Sequence, residues 1–237
     1  MNTHAYTEDQ LVEQPAIGLF AGLGWSTVSA LEETFGVTGT LSRETKGDVV
    51  LVSRLRAALE RLNPALPAEA ITSAIDELTR DRSAMSLEAA NREVYLLLKA
   101  GIRVSIADRE PSPQPSASLQ VFPCPKERGN KEGGQRDERL RVVDWEHPEN
   151  NDFLLVSQFS VTGDLYTCRP DRVGFVNGLP LVVIELKKPG VPARAAFDEN
   201  LTHYKEQIPA LFWFNALLIA SNEIGRASCR ERVLVQV

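Results

Sequence analysis

Cysteine is scarce and scattered in this chain. The 237 residues hold three, Cys124, Cys168 and Cys229, and no two form a CxxC pair. That excludes a disulfide framework and a zinc site built on thiolates, and it fits a reducing cytoplasm. No apolar run approaches the roughly 20 residues that a membrane span needs. The amino terminus is polar and acidic, with no basic segment leading into an apolar stretch, so no signal peptide is expected. No segment repeats at a fixed period, and no G-x-x-x-x-G-K-[ST] phosphate loop occurs. Net positive charge is also missing. The 26 Lys and Arg against 32 Asp and Glu leave −6, which counts against a nucleic-acid partner, because phosphate contacts usually leave a basic footprint. What is present is ordinary for a soluble globular protein: 43% hydrophobic and 24% charged residues, enough for one large or two small domains.

Apolar spacing predicts helices over residues 8–21, 48–62, 67–80, 86–100 and 194–208. Ser86 is placed to cap the fourth of these and Gly101 to end it. Strands are expected at 102–107, 140–144, 153–161 and 216–220. Residues 109–139 hold prolines, glycines, serines and mixed charge with no apolar period, and read as an exposed loop or insertion. The segment RPDRVGFVNGLPLVVIELKKP (169–189) reads as strand, Asn177-Gly178 turn, strand. Val182, Ile184 and Leu186 fill one face of its second strand, and Leu181 and Val183 fill much of the other. Such a strand is covered on both sides, so Glu185 and Lys187 within it need a reason.

An Asp on one strand with Glu-x-Lys on the next suits a metal-dependent phosphodiesterase. Asp171 and Glu185 supply hard oxygen ligands for Mg²⁺, and Lys187 can orient water or stabilise developing negative charge. Period-2 geometry puts Glu185 and Lys187 on one face. Asp171 joins them only if the pairing gains a residue. A strict two-residue turn puts Pro170 opposite Glu185, whereas a three-residue turn including Leu179 puts Asp171 there. The chemistry needs the second register, and Pro180, which cannot donate to a ladder, also suggests irregular pairing. The bland alternative is a surface hairpin with a solvated Glu–Lys pair; the apolar strand around it argues against that.

Pro170-Asp171 with Glu185-Leu186-Lys187 resembles the PD-(D/E)xK nuclease motif. More closely, the chain resembles the N-terminal nuclease domain of the restriction (motor) subunit of type I restriction–modification enzymes. The likeness runs through GLGW (22–25), NREVYLLLKAGIRV (91–104), VVDWEHPENNDFLLVSQFSV (142–161), the 169–189 segment and NLTHYKEQIPALFWFN (200–215). It implies an α/β restriction-endonuclease-like fold, a mixed β-sheet with a central hairpin flanked by helices. It implies that Asp171, Glu185 and the Leu186 carbonyl bind Mg²⁺ and that Lys187 is the catalytic lysine. The family's Gln-x-x-x-Tyr motif falls on Asn200 and Tyr204, with an amide one methylene shorter. Tyr204 reads equally as a half-buried core aromatic. Glu13 is a further candidate to approach the metal from the first helix.

The resemblance further implies double-stranded DNA as substrate, with methyltransferase and specificity subunits as partners. ATP would serve only helicase-like domains, which nothing here matches. EIGRASCRERV (223–233) resembles a reading frame of a common sequencing-adapter oligonucleotide. On that reading, residues 223–237 are a non-native tail, the nuclease domain is 1–222, and the net charge without the tail is −7. The competing readings are an inert fragment or docking module, and a PD-(D/E)xK nuclease of another restriction or repair system. Trp145 and Trp213 are expected as core anchors, His147 and His203 as surface or packing residues, and Cys124 and Cys168 as chemically idle.

Overall fold

The computed structural model describes residues 14–107, 135–187 and 190–222. A mixed five-stranded sheet forms its centre, ordered β1 (Ser26–Ser29), β4 (Phe153–Ser157), β7 (Arg172–Val176), β8 (Leu179–Leu186), β9 (Leu217–Ser221). The outer pairs β1–β4 and β8–β9 are parallel, and the inner pairs are antiparallel. The fold is therefore α/β with a hairpin inside the sheet, as expected. Separate two-stranded ribbons join β2 (Ile102–Ala107) to β3 (Gln135–Leu140), and β5 (Val161–Thr162) to β6 (Thr167–Cys168). Among the described residues no helix is long and apolar enough to cross a membrane.

Both faces of the sheet are covered. Leu155, Ile184, Leu186 and Ile219 meet Ala16 and Phe20 of α1 (Gln14–Gly22). Trp25 stands edge-on to Phe20, 5.2 Å between ring centroids. It sits so close to Gly174 that a Cβ there would lie 3.0 Å from its ring. The larger core on the other face takes in Val173, Phe175, Val183 and Leu218. It is closed by α2 (Val52–Leu62), α3 (Ala68–Thr79) and α4 (Leu87–Ala100). A crossing segment completes it: α5 (Ala193–Ala195), a π-helical stretch (Ala196–Leu201), α6 (Thr202–Gln207) and α7 (Pro209–Phe212).

The helix ends follow local chemistry. Ser86 Oγ accepts from the Ala89 N–H at 3.2 Å, and Gly101, at φ 76°, ends α4, as the spacing predicts. The carbonyls at the end of α3 are closed by a buried arginine. Arg82, 1% exposed, donates to the carbonyls of Glu77, Leu78 and Arg80 and to Glu93.

Several sequence expectations shift. Helix α2 starts at Val52, after Leu51, which holds a non-helical φ of −86° and ψ of 81° and donates its N–H to the Gly178 carbonyl at 2.9 Å. The strand expected at 140–144 lies instead at Gln135–Leu140, sharing only Leu140 with it and otherwise inside the stretch 109–139 read as loop. Its QRDERL sequence lacks alternation because its partner β2 supplies the buried side chains Ile102, Val104 and Ile106. Val142 and Val143 are buried outside any strand. Trp145 is not a core anchor. It is 61% exposed, and its Nε1–H donates to the Leu98 carbonyl. Trp213 does pack against the core. The first predicted helix is seen only from residue 14. Its residues 8–13, with Glu13, lie outside the described residues, as do Cys124, Cys229 and 223–237.

The hairpin turn is a strict two-residue turn: Val176 pairs with Leu179, and Asn177 and Gly178 take φ 52° and 80°. That is the I′ geometry that Asn-Gly favours. The extra residue enters one step later. Phe175 pairs with Pro180 but Gly174 with Val182, so Leu181 is a β-bulge. Pro180 leaves the ladder without a donor at that step, which is where bulges are tolerated. The turn itself is buried. Asn177, 0% exposed, exchanges two hydrogen bonds with Asp152 and donates to the Val142 carbonyl. A Cβ on Gly178 would lie 2.6 Å from the Leu51 carbonyl oxygen. Gly178→Ala is therefore expected to cost about 2–4 kcal/mol, read as a lower urea midpoint with an unchanged m-value. An unchanged midpoint would show that α2 does not clamp the turn.

Candidate active site

The Leu181 bulge decides which residues meet. Arg172 pairs with Ile184, so the next pair outward sets Asp171 opposite Glu185. The Asp171 N–H reaches Glu185 Oε2 at 3.4 Å, and Asp171 Oδ2 accepts from the Leu186 N–H at 2.8 Å. The backbone of Asp171 is itself clamped. Its carbonyl accepts from the Gln158 N–H at 2.9 Å and from Arg172 Nη1 at 2.6 Å. Gln158 holds a left-handed φ of 57° to do so, a conformation that costs an L-residue roughly 1–2 kcal/mol.

Glu185 is 3% exposed. Burial, then the charge of Asp171, push its carboxyl up to about 8, against the pull of the Asp171 N–H, Asn200 and Lys187. Asn200 sits between the acid and the base. Its Nδ2 donates to Glu185 Oε1, and its Oδ1 accepts from Lys187 Nζ at 2.9 Å. The Tyr204 hydroxyl reaches the same Oε1 at 3.4 Å. Burial, then Glu185, push the Tyr204 phenol above its ordinary range. Asn200 lies in the π-helical stretch and Tyr204 in α6, so a locally widened helix presents both to the carboxylate. Lys187 is fixed from behind as well, by its N–H to the Ser221 carbonyl at 2.8 Å.

The structure thus brings Asp171, Glu185, Lys187, Asn200 and Tyr204 together. Leu186 turns its side chain into the α1 side of the sheet while its N–H serves Asp171. His147 and His203 are exposed, and Cys168 is buried with its thiol pushed up by burial. Sequence reasoning missed Gln158 and Arg172, which hold the Asp171 backbone. Adjacency to Asp171 was the only signal for Arg172, and Gln158 gave none. Among the described residues no three His, Cys, Asp or Glu side chains converge, so the hard-oxygen donors here are two carboxylates and backbone carbonyls.

The profile of a family described as the N terminus of the type I restriction enzyme R protein matches residues 5–117 and 126–230. The chain belongs to that family. It is 33% identical over 222 residues to the type I restriction enzyme HindI endonuclease subunit of Haemophilus influenzae, covering 90% of this chain and 18% of that protein. It is 27% identical over 224 residues to a putative type I restriction enzyme MjaIXP endonuclease subunit of Methanocaldococcus jannaschii, covering 91% and 18%. A shorter stretch of 90 residues is 36% identical to the EcoprrI endonuclease subunit of Escherichia coli. The chain thus spans about a fifth of the length of the first two relatives.

Glu185 gives this R-protein domain a signed pH dependence. Its folded pKa lies above its unfolded value, so the native state holds the proton longer. In chelator, the contribution of Glu185 to stability is full below about 4.5 and is lost as pH rises toward about 8, by on the order of a few kcal/mol. Glu185→Gln removes the charged form and is expected to flatten that slope in urea titrations. An equally steep slope in Glu185→Gln would place the pH sensitivity elsewhere.

Proposed function

We propose that this chain is the Mg²⁺-dependent nuclease domain of a type I restriction enzyme R subunit, hydrolysing phosphodiester bonds of double-stranded DNA. One observation carries the reading: two carboxylates face each other across adjacent strands, with a lysine two residues along the same face and tied to one of them through an amide. A solvated surface pair would not leave Glu185 at 3% exposure.

The donor set suits a hard divalent cation. Asp171 and Glu185 would hold it, with the Leu186 carbonyl as a third oxygen. The N–H and C=O of one strand residue leave the same edge, and the Leu186 N–H already points to Asp171. Mg²⁺ bound there supplies a water of lowered pKa and offsets charge on the scissile phosphate. The chain's own residues do the rest. Lys187 directs its ammonium toward the reacting phosphate and stabilises charge as it develops. Asn200 fixes the reach of that ammonium and, with Tyr204, holds the Glu185 carboxylate in one orientation. The Gln158 and Arg172 contacts keep Asp171 in register. In the complete enzyme, a specificity subunit would choose the site, a methyltransferase subunit would be the other partner, and ATP would drive helicase-like domains. The location is the cytoplasm.

Plasmid nicking by the chain in Mg²⁺ tests this. Asp171→Ala and Lys187→Ala are expected to lose at least about 100-fold in rate. Cutting that ignores both substitutions and co-purifies with the chain through further separation steps overturns the site; cutting that separates from it is a contaminant's. Metal binding has its own readout. Mg²⁺ is expected to raise the wild-type melting temperature and to leave that of Asp171→Ala unmoved. Equal shifts in both would place the cation elsewhere.

A further inference from the structure

Two departures from ordinary surface chemistry meet at one place. Trp145 is 61% exposed, although large aromatic side chains gain most from burial. On the β2–β3 ribbon, Arg103 pairs directly with Arg139, and both are exposed. Like charges set opposite each other cost stability. Local departures of this kind concentrate at functional sites.

Both border one concavity. A cavity of about 330 Å³ opens between the end of α4 and the 139–146 segment, and its lining includes Lys99, Arg139, Arg141, Asp144, Trp145 and Glu146. The groups are held in place. Trp145 Nε1–H donates to the Leu98 carbonyl at 3.2 Å, which pins the indole by its edge to the last turn of α4. Arg139 Nη1 donates to the Ala100 carbonyl at 2.9 Å, and Arg141 Nη1 reaches Asp144 Oδ2 at 3.2 Å. Each guanidinium keeps further donors. The α4 carbonyls that would repel an anion are capped by the Gly101 N–H, the indole and Arg139. Asp144 is 4% exposed and engaged by Arg141, Asn150 and two backbone N–H groups. Three cations thus face one exposed acid, Glu146, in a chain of net charge −6.

The cavity is separate from the carboxylates. Val142, also in its lining, accepts from Asn177 of the hairpin turn, at the end of β8 away from Glu185. We propose that it binds a nucleotide with an unpaired base, the base stacking on Trp145 and the phosphate held by Arg139, Arg141 and Lys99. An aromatic face beside cations suits that ligand, because every base has a π-face and a paired base keeps its faces inside the duplex stack. The arginine forks match phosphate oxygens. The proposal does not rest on the nuclease reading. The nucleotide belongs either to a single DNA strand or to a free mononucleotide.

Binding in chelator, where no metal-dependent cutting occurs, tests this with three probes: an oligothymidylate of about 15 nucleotides, a blunt duplex of the same length, and thymidine monophosphate. Trp145→Ala is expected to weaken binding of the single strand about tenfold or more, and Trp145→Phe to retain most of it. Arg139→Ala should make the slope of log K against log salt shallower by about 0.7, one phosphate contact on a single strand. In the unsubstituted chain, the Trp145 indole N–H resonance, identified by its loss in Trp145→Phe, should move as the strand is added. Tighter binding of the strand than of the monophosphate assigns the site to single-stranded DNA, and equal binding assigns it to a free nucleotide. Wild-type affinity in Trp145→Ala, an unmoved Trp145 resonance, or a duplex bound as tightly as the single strand would overturn the proposal. So would no binding of either unpaired probe.

Discussion

A carboxylate at 3% exposure inside a sheet covered on both faces is the constraint on which the surrounding structure depends. Isolated in an apolar interior, the charged form of Glu185 is unfavourable by several kcal/mol. Every group within reach answers to that. Asn200 and Tyr204 spend their polar hydrogens on one oxygen, and the Asp171 N–H approaches the other. A second carboxylate opposite makes the charge less favourable still. That arrangement contributes nothing to stability and is what a cation site requires, because a bound cation reverses the sign of both effects.

Holding two carboxylates opposite each other needs a register, and the register comes from outside the site. The Asn-Gly turn alone would set Pro170 against Glu185. The Leu181 bulge adds the missing residue, and it sits beside a proline that could not have completed a regular ladder. The turn beyond it is buried under α2 and tied through Asn177 to the 142–152 segment. Slippage of the hairpin by one residue would carry Asp171 to the opposite face, so the buried turn at one end of β8 protects the facing carboxylates at the other.

Much of this was legible in residue patterns. Two-sided apolar filling of LPLVVIEL identified a covered strand, and Glu185 and Lys187 stood out by breaking it. The need for an added residue was also visible. Its source was not. Turn length and bulge position give the same register at Asp171, and only Pro180 hinted at the second. The 135–140 strand was hidden because β2 carries the apolar face for both strands of the ribbon. Trp145 misled because residue size predicts burial only on average. Its indole is bound by one carbonyl and otherwise exposed. The amide of Asn200 is one methylene shorter than the glutamine of the family motif, and the π-helical turn that carries it, which spacing in the sequence does not reveal, is where it reaches Glu185 and Lys187.

The acidic composition weighs differently once the cations are placed. Arg43, Arg82 and Arg172 are each at 3% exposure or less. They close a buried ion pair with Glu33, the end of α3 and the Asp171 backbone respectively. These charges hold the protein together and are lost to any external ligand, while the carboxylates of Glu33, Asp144 and Glu185 are buried as well, so the cations left on the surface still face the net acidity of −6. On the proposed reading, the domain then meets DNA through few phosphate contacts. Affinity that depends on few released counterions is weak and only mildly salt-sensitive. On that reading the chain alone nicks slowly, and delivery of DNA to it would raise the rate. On the same reading, weak binding would keep the domain from acting on DNA that nothing has brought to it.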